Sequence, residues 1–259
     1  MSYGLYTAAS GMLVNMYRMD VIGNNLANAN TTAFKPDVAA FHWRDPARIE
    51  AGLANVAPKT MLERLGGGVG LSPNITNFKG GHLEETGNAL DVAIQGAGFF
   101  KFATGKGQGA ERMRFGRDGR FTISGDGYLV HAGSGMRVLD EGDNPIQLQS
   151  TGRVVVHPDG TLEQADARVA RIGVVVPPDL KQLRKAGENM FTLDNVSQKR
   201  LLPANANLKG GWLEGSAVDT MSMMMELSSA SNAISANARM LQLNDEMMNS
   251  AINRLGRVA

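Results

Sequence analysis

The chain lacks cysteine altogether, and it has almost no excess of either charge. Without thiols it cannot use thiol catalysis, thiolate-bound zinc or disulfide bonds. Its 26 basic and 25 acidic residues give a formal net charge of +1, and no lysine or arginine run is interleaved with aromatic residues. These absences exclude the basic surface by which nucleic acid is usually bound, so we expect no nucleic acid partner.

Long apolar runs are also absent. No stretch reaches the roughly 18–20 apolar residues that a membrane-spanning helix needs. Residues 1–19 contain no basic segment followed by an apolar one, so we expect no signal peptide of the general secretory kind. The sequence therefore predicts no direct membrane insertion, and any export from the cytoplasm would use a route without a cleaved signal peptide.

Glycine and proline are nearly missing from the C-terminal segment. Residues 216–258 contain no proline, and Gly256 is their only glycine. Apolar residues recur in this segment at strict seven-residue intervals, at Leu227, Ile234, Leu241, Met248 and Leu255. This spacing is typical of one seam of a coiled coil and predicts a single helix over about residues 217–255.

The first thirty-three residues carry a matching pattern and predict a second helix. Leucine and methionine repeat every seven residues, at Leu5, Met12, Met19 and Leu26, with Ile22 between them. The only charged residues are Arg18 and Asp20, whereas a solvated helix normally has a charged outer face. We therefore expect other subunits to cover this helix. The polar run Asn24–Thr32, which includes Asn24 and Asn25, should end it.

The middle of the chain has a different pattern. Residues 34–70 end in a glycine cluster at residues 66–70, which predicts an extended connector with a flexible joint. Residues 71–215 contain short β-prone runs separated by turn signals, which predict a β-rich outer domain. The candidate strands are Leu90–Ile94, Phe99–Ala103, Arg120–Ser124, Tyr128–His131, Ile146–Leu148, Val154–His157 and Val169–Val176.

The predicted fold class is α+β. Residues 1–33 and 216–259 are expected to form a discontinuous helical domain, in which the N- and C-terminal coiled-coil helices pair. Residues 71–215 are expected to form a central antiparallel β-rich domain, because many short strands at close intervals do not suit alternating βαβ units.

Few residues suggest chemistry. The four histidines show no metal-ligand spacing, and the glycine cluster fits no phosphate-binding frame. Glu84 and Glu85 would point to opposite faces of a strand, so they would not share one acid/base site. Eleven of the fifteen methionines lie in the terminal segments, where they favour adaptable helix packing over a Cu(I) site. The sequence therefore predicts no catalytic residues, no cofactor and no metal.

Four motifs, in chain order, carry a family resemblance. They are Asn24–Lys35, with Ala33 where the family usually has glycine; Gly81–Phe100; Arg117–Thr122 followed by Asp126–Val130; and Leu213–Val218. On these motifs, which span nearly the whole chain, the sequence resembles the axial proteins of the bacterial flagellum, which are the rod, hook and hook-junction subunits. One departure is Ser228–Ile234, where the family usually has an Arg-aromatic-Glu cluster.

The resemblance implies a structural subunit of the flagellar basal-body rod, assembling helically into the shaft that crosses the periplasm and transmits torque. It implies other copies of the chain and other axial (rod and hook) proteins as partners, and delivery by the flagellar type III export apparatus. The chain length favours a rod subunit over a hook subunit, and the start of the chain slightly favours the proximal-rod type over the distal-rod type.

One alternative remains open at this stage. The chain could be a cell-envelope glycan-binding or glycan-hydrolysing β-domain protein whose helices form an oligomerisation stalk, although no convergent acid/base pair supports hydrolysis. For a rod subunit, the residues expected to carry assembly are those of the two heptad patterns and the asparagine pair: Leu5, Met12, Met19, Ile22, Asn24, Asn25, Leu26, Leu227, Ile234, Leu241, Met248 and Leu255.

Overall fold

The computed structural model describes residues 2–45, 67–104, 113–149, 152–193, 201–204 and 206–255. They form two compact units, each assembled from separate stretches of the chain. The helical unit comprises the described parts of residues 1–27, 37–77 and 219–259, and the β unit those of residues 28–36 and 78–218. The chain therefore passes between the two units four times.

Two long helices dominate the helical unit, α1 (Ser2–Ala27) and α2 (Thr220–Leu255). The first stops inside the asparagine-rich run, as the sequence predicts. The second begins three residues later than predicted because Asp219 caps it, accepting hydrogen bonds at Oδ1 from the N–H groups of Met221 (3.1 Å) and Ser222 (3.3 Å). Among the described residues, no helix combines the length and apolar character needed to cross a membrane.

The helical unit also contains a two-stranded antiparallel ribbon, β1 (Asp37–Trp43) and β2 (Val69–Thr76). The ribbon continues one step beyond its strands, because the N–H of Gly67 donates to the carbonyl of Arg44 (2.8 Å). The described part of the expected connector is thus largely a paired ribbon, and the glycines that follow residue 66 lie inside the helical unit. Residue 66 itself lies outside the described residues.

The described part of the β unit contains sixteen short strands and one 3-10 helix at Leu180–Gln182. The strands are β3 (Leu83–Glu85), β4 (Val92–Gln95), β5 (Phe99–Ala103), β6 (Met113–Gly116), β7 (Phe121–Ile123), β8 (Leu129–His131), β9 (Arg137–Val138), β10 (Val154–Val156), β11 (Thr161–Gln164), β12 (Ala167–Arg171), β13 (Val174–Val176), β14 (Arg184–Lys185), β15 (Phe191–Thr192), β16 (Leu202–Pro203), β17 (Asn207–Gly210) and β18 (Trp212–Glu214).

All of these strands pair antiparallel. The largest sheet follows the order β14-β15-β6-β5-β9-β8-β7, with β13 beside β5 and β16 beside β13. A three-stranded sheet has the order β10-β11-β12, and two further pairs are β17 with β4 and β18 with β3. The predicted α+β fold class, with two terminal helices and a central antiparallel β-rich region, is confirmed.

The core of the β unit is organised around β5. Successive residues of a strand point to opposite faces, and β5 has phenylalanine at three positions. Phe100 and Phe102 enter one buried apolar cluster together with Leu129, whereas Phe99 enters a second cluster with Phe115. All five side chains are at most 3% exposed, so the β unit has a well-developed core of its own.

The strand predictions succeed unevenly. Phe99–Ala103 has the predicted bounds, but the predicted strand Val169–Val176 divides into β12 and β13. The division occurs at Gly173, where a Cβ would lie 2.4 Å from the carbonyl oxygen of Asp140. Ile146–Leu148 is not a strand, and Gln147 forms only an isolated bridge.

Candidate assembly surface

The two helices of the helical unit run antiparallel and contact each other along their length. Residue numbers rise along α1 as those of its partners fall along α2. Three pairs show this: Gly4 faces Asn244, Gly11 faces Asn237, and Arg18 pairs with Glu226 at 3.2 Å between Nη2 and Oε2.

Glycine lets the helices approach closely at one level of this contact, because a Cβ built on Gly11 would lie 3.2 Å from Nδ2 of Asn237. At the next level, a Cβ built on Gly4 would lie at an ordinary contact distance of 3.6 Å from Oδ1 of Asn244. The line of α1 that meets α2 therefore begins one residue before the stripe that the sequence predicts from Leu5. Apolar periodicity missed it because glycine carries no apolar side chain.

The predicted assembly residues of α1 are divided between exposed and covered positions. Leu5 is 37% exposed, Ile22 is 3% exposed, and the three others of the apolar pattern are half-buried: Met12, Met19 and Leu26. Asn24 is exposed.

Asn25 has a specific role within the subunit. Its side chain is buried, its Nδ2 donates to the carbonyl of Asp37 (2.7 Å), and its Oδ1 accepts from the N–H of Asp37 (3.0 Å). This paired contact holds the start of β1 against the end of α1.

The heptad stripe of α2 lies along its contact with α1. Four of its predicted members are half-buried: Leu227, Ile234, Leu241 and Met248. The side chain of Leu255 lies outside what the structure describes. Between the first two of these residues, Ala230 is almost fully buried at 1% exposure. From Ala230, a second line of α2 with the same seven-residue spacing continues through Asn237 and Asn244. This line also faces α1, and its residues are small or polar.

Most exposed large apolar side chains lie in the helical unit. Of the twenty-one such side chains among the described residues, seventeen belong to this unit and four to the β unit. The seventeen are Leu5, Tyr6, Leu13 and Met16 on α1; Val38, Phe41, Trp43, Val69, Leu71 and Ile75 on the ribbon; and Met221, Met224, Met225, Met240, Leu243, Met247 and Ile252 on α2. We call this set the outer apolar surface.

A second feature, the junction cluster, lies inside the β unit and consists of Lys35, Arg117 and Glu214. All three side chains are buried. The Nζ of Lys35 donates to Oε1 of Glu214 (2.6 Å) and to the carbonyl of Lys79 (2.6 Å), while Nε of Arg117 lies 3.1 Å from Oε2 of Glu214. The N–H of Gly81 also donates to Oε1 (2.9 Å). One buried carboxylate therefore binds two buried cations.

Burial dominates the electrostatics of the junction cluster. It lowers the pKa of the Lys35 ammonium below its ordinary value, although the hydrogen bond to Glu214 acts in the opposite direction. Burial likewise lowers the pKa of the Arg117 guanidinium, against the attraction of Glu214. Loss of Glu214 would leave two buried cations without their carboxylate, which is among the larger single destabilisations known in proteins, whereas loss of either cation would leave the other to pair with Glu214.

The junction cluster lies where the segment after α1 meets the segment before α2. The N–H of Ala33 donates to the carbonyl of Glu214 (2.7 Å), and the hydroxyl of Ser216 donates to the carbonyl of Asn28 (3.1 Å). Two segments distant in sequence are thereby held together within the β unit.

Comparison with known proteins decides the family. The family model described as "Flagella basal body rod protein" matches residues 5–35, "Flagellar hook protein FlgE/F/G D1 domain" matches residues 93–184, and "Flagellar basal body rod FlgEFG protein C-terminal" matches residues 209–255. The flagellar basal-body rod protein FlgF of Caulobacter vibrioides is 33% identical, with all of both chains covered. The chain belongs to the flagellar basal-body rod protein family.

Other relatives carry related names. The rod protein FlgG of Bacillus subtilis is 29% identical over 96% of this chain and 97% of its own length. The hook protein FlgE of Treponema pallidum is 38% identical over 53% of this chain and 29% of its own length. The resemblance inferred from the four motifs is confirmed, while the proximal or distal type stays a prediction.

The structure shows what the motifs of this rod-family chain do together, which the sequence did not reveal. Each motif contributes one residue to the junction cluster or its hydrogen bonds: Lys35 from the first, Gly81 from the second, Arg117 from the third and Glu214 from the fourth. The four motifs therefore meet at one buried site.

Ala33 stands where the resemblance led us to expect glycine. Its backbone is left-handed, with φ of 54°, and its side chain is 2% exposed. Glycine adopts this conformation at no steric cost, whereas alanine is strained by about 1–2 kcal/mol. The sequence difference is thus tolerated at some expense in stability.

Three histidines lie beside carboxylates, a feature that sequence spacing did not indicate. They form the pairs His82 with Glu84 (2.5 Å), His131 with Asp118 (3.2 Å) and His157 with Glu163 (2.6 Å). Each pair is separate, and among the described residues no group of three or more acidic or histidine side chains is placed to hold a metal ion.

Proposed function

We propose that this chain is a structural subunit of the flagellar basal-body rod, and that its outer apolar surface packs against neighbouring subunits. Family membership supports the first statement. The uneven placement of exposed apolar side chains supports the second statement. The helical unit exposes seventeen large apolar side chains, whereas the β unit buries both of its apolar clusters. Large exposed apolar surfaces on one part of a protein mark interaction sites.

The available burial is large enough to drive association. The seven outer side chains of α2 are 52–68% exposed. Complete burial of such a side chain contributes about 1.5–3 kcal/mol, so covering the exposed half contributes on the order of 1 kcal/mol each. The cost of association is about 4–15 kcal/mol, and the summed burial free energy of these seven side chains is comparable with the lower part of that range. Burial of the exposed apolar side chains of α1 and the ribbon would add to this sum.

The partners in this proposal are other copies of the chain and other rod and hook proteins. Contacts between unlike faces of successive subunits generate a helical shaft when the rotation between subunits does not close on itself. Such a shaft would cross the periplasm and transmit torque. Exposed members of the predicted set, such as Leu5 and Asn24, would contact neighbours directly. Ile22 and Asn25, which are buried in the subunit, would act by holding α1 in place.

We also propose export by the flagellar type III apparatus without a cleaved signal peptide, followed by assembly in the periplasm, with the proximal-rod position slightly favoured. Only three apolar residues of the helical unit are buried among those described: Val21, Ile22 and Ala230. Helices with so little burial gain most of their stability from packing, which assembly would supply. Family membership does not favour the glycan-active alternative.

The test uses a strain that lacks the protein, complemented with single variants. Leu243→Asp places a charge at a 52% exposed position of α2, and Gln242→Glu, at the neighbouring exposed position, is the matched control. We expect Leu243→Asp to be absent from purified basal bodies and Gln242→Glu to be present. Normal incorporation of Leu243→Asp would refute a role of this surface. Electron microscopy of the strain without the protein would show where the shaft stops and thus fix its position.

A further inference from the structure

Methionine supplies the only sulfur in the chain, because cysteine is absent. Five of the seven exposed large apolar side chains of α2 are methionines, and we call them the outer methionine group: Met221, Met224, Met225, Met240 and Met247. An α-helix turns by about 100° per residue, which places all five within about 160° of its circumference. This arc lies largely opposite the line of Asn237 and Asn244 that faces α1. The exposed side of α2 is therefore rich in thioethers.

Three other methionines are covered to a greater extent. Met223 and Met248 are half-buried, although each is adjacent in sequence to a member of the outer group, Met224 or Met247. The same helical rotation turns Met223 and Met248 toward the contact with α1. Met190 is 2% exposed in the core of the β unit. The same functional group thus occurs in exposed and covered positions, and sequence neighbours allow a direct comparison.

Peroxides oxidise an accessible thioether to a sulfoxide. The sulfur lone pair attacks one oxygen of hydrogen peroxide, so an S–O bond forms as the O–O bond breaks, and the leaving hydroxide takes the proton of the transferred hydroxyl to become water. Sulfur loses two electrons and the peroxide gains them. Methionine sulfoxide reductases reverse the change. Because peroxide reaches the sulfur through solvent, exposed methionines react before covered ones.

Oxidation would change what this side of α2 can pack against. A thioether is apolar and flexible and fits irregular apolar contacts, whereas a sulfoxide is polar. The sulfoxide oxygen requires a hydrogen-bond donor when it is buried. The two other exposed apolar side chains of α2, Leu243 and Ile252, cannot supply one. The oxidised surface would therefore resist burial against an apolar neighbour.

We infer that the outer methionine group is a reversible oxidation site for peroxides, and that its oxidation state determines whether a free subunit can join its neighbours. The subunit would be sensitive before assembly, when the thioethers are exposed, and protected afterwards, when neighbouring subunits cover them. The effect on assembly rests on the proposed function. The order in which the methionines are oxidised follows from the structure of the single chain.

The first experiment treats the purified full chain with hydrogen peroxide and follows each methionine by peptide mass spectrometry. We expect the outer group to form sulfoxide at least about three-fold faster than Met190, Met223 and Met248. The adjacent pairs Met223–Met224 and Met247–Met248 are the critical comparisons, because the members of each pair share a local sequence and differ in exposure. Equal rates within both pairs would overturn the inference.

The second experiment measures incorporation into basal bodies in a strain that lacks the protein, complemented with variants and exposed to sublethal hydrogen peroxide while each variant is synthesised. Replacing all five members of the outer group by leucine keeps the surface apolar but removes the oxidisable sulfur, and Met223→Leu/Met248→Leu is the matched control. Peroxide should lower incorporation of the unchanged chain and of the control about ten-fold, which corresponds to about 1.4 kcal/mol, and leave the five-fold variant unaffected. An equal loss in all three would refute the effect on assembly.

A further pair of variants keeps the test decisive if the five-fold variant does not assemble even without peroxide. Met224→Gln places a permanent amide where a single sulfoxide would form, and Ser228→Gln, at an exposed position on the same side of α2, is its control. We expect less incorporation for Met224→Gln, and equal incorporation would contradict the inference. If the proposed function were wrong instead, the unchanged chain would be absent from basal bodies without peroxide, while the order of oxidation in the purified chain would still hold.

Discussion

Replacing Lys35 by methionine tests whether the junction cluster stabilises the β unit. Methionine keeps most of the apolar stem but cannot donate a hydrogen bond. The change would remove the donor from Oε1 of Glu214 and from the carbonyl of Lys79, each of which lies 2.6 Å from Nζ. Glu214 would retain Arg117 at 3.1 Å and the N–H of Gly81 at 2.9 Å.

The expected cost can be bracketed from these contacts. Each hydrogen bond made by a charged group contributes about 1.5–3 kcal/mol, and the Lys35 ammonium makes two of them. Glu214 keeps Arg117 as its counter-charge, and methionine avoids the burial of an ammonium group, so both effects offset part of this loss. We expect Lys35→Met to lower the free energy of unfolding by about 3 kcal/mol. Glu214→Gln should cost more, because two buried cations would then share no anion.

The two tryptophans of the chain make the measurement specific. Trp43 lies in the helical unit and Trp212 in the β unit, so the Trp43→Phe background leaves one fluorescent reporter of the β unit. Urea unfolding is compared for Lys35→Met and for Lys181→Met, which alters an exposed lysine of the same unit. A loss below about 1 kcal/mol in Lys35→Met, or an equal loss in the control, would refute the reasoning.

Two further predictions use the same fluorescence assay. Ala33→Gly removes the strain of a left-handed alanine, whereas Ala93→Gly removes a buried methyl group from β4 without such relief. We expect the loss in free energy of unfolding to be at least about 1 kcal/mol smaller for Ala33→Gly than for Ala93→Gly. Equal losses would show that position 33 is not strained. Burial opposes ionisation of Asp118, but hydrogen bonds from His131 and Arg120 hold its pKa below its ordinary value of 3.8. Its stabilisation is therefore present above pH 3.8 and lost as the pH falls through the lowered pKa, and Asp118→Asn should flatten that part of the acid unfolding curve; an unchanged pH dependence would contradict this assignment.

The elements best predicted from sequence are those fixed by local pattern. A seven-residue repeat without proline specifies a helix wherever its partner lies, which explains why α1 and α2 were found with nearly correct bounds. The five-residue strand Phe99–Ala103 was likewise evident from its aromatic composition. Two-residue strands such as β9 and β14 depend on pairing with distant segments and have too few residues to leave a pattern.

The candidate site was predictable only in part. Heptads located both helices and the leucine and methionine stripes beside their contact. The line of α1 that meets α2 was missed because it passes through Gly4 and Gly11, which carry no side chain that a hydrophobic pattern can register. The junction cluster was missed for another reason: Lys35 and Glu214 are 179 residues apart, and only the folded β unit brings them together.

The path of the chain has a consequence for its covalent continuity. Because the chain passes between the two units four times, cleavage of the backbone at any one crossing leaves three covalent connections between them. The two units would become covalently independent only after all four crossings had been cut.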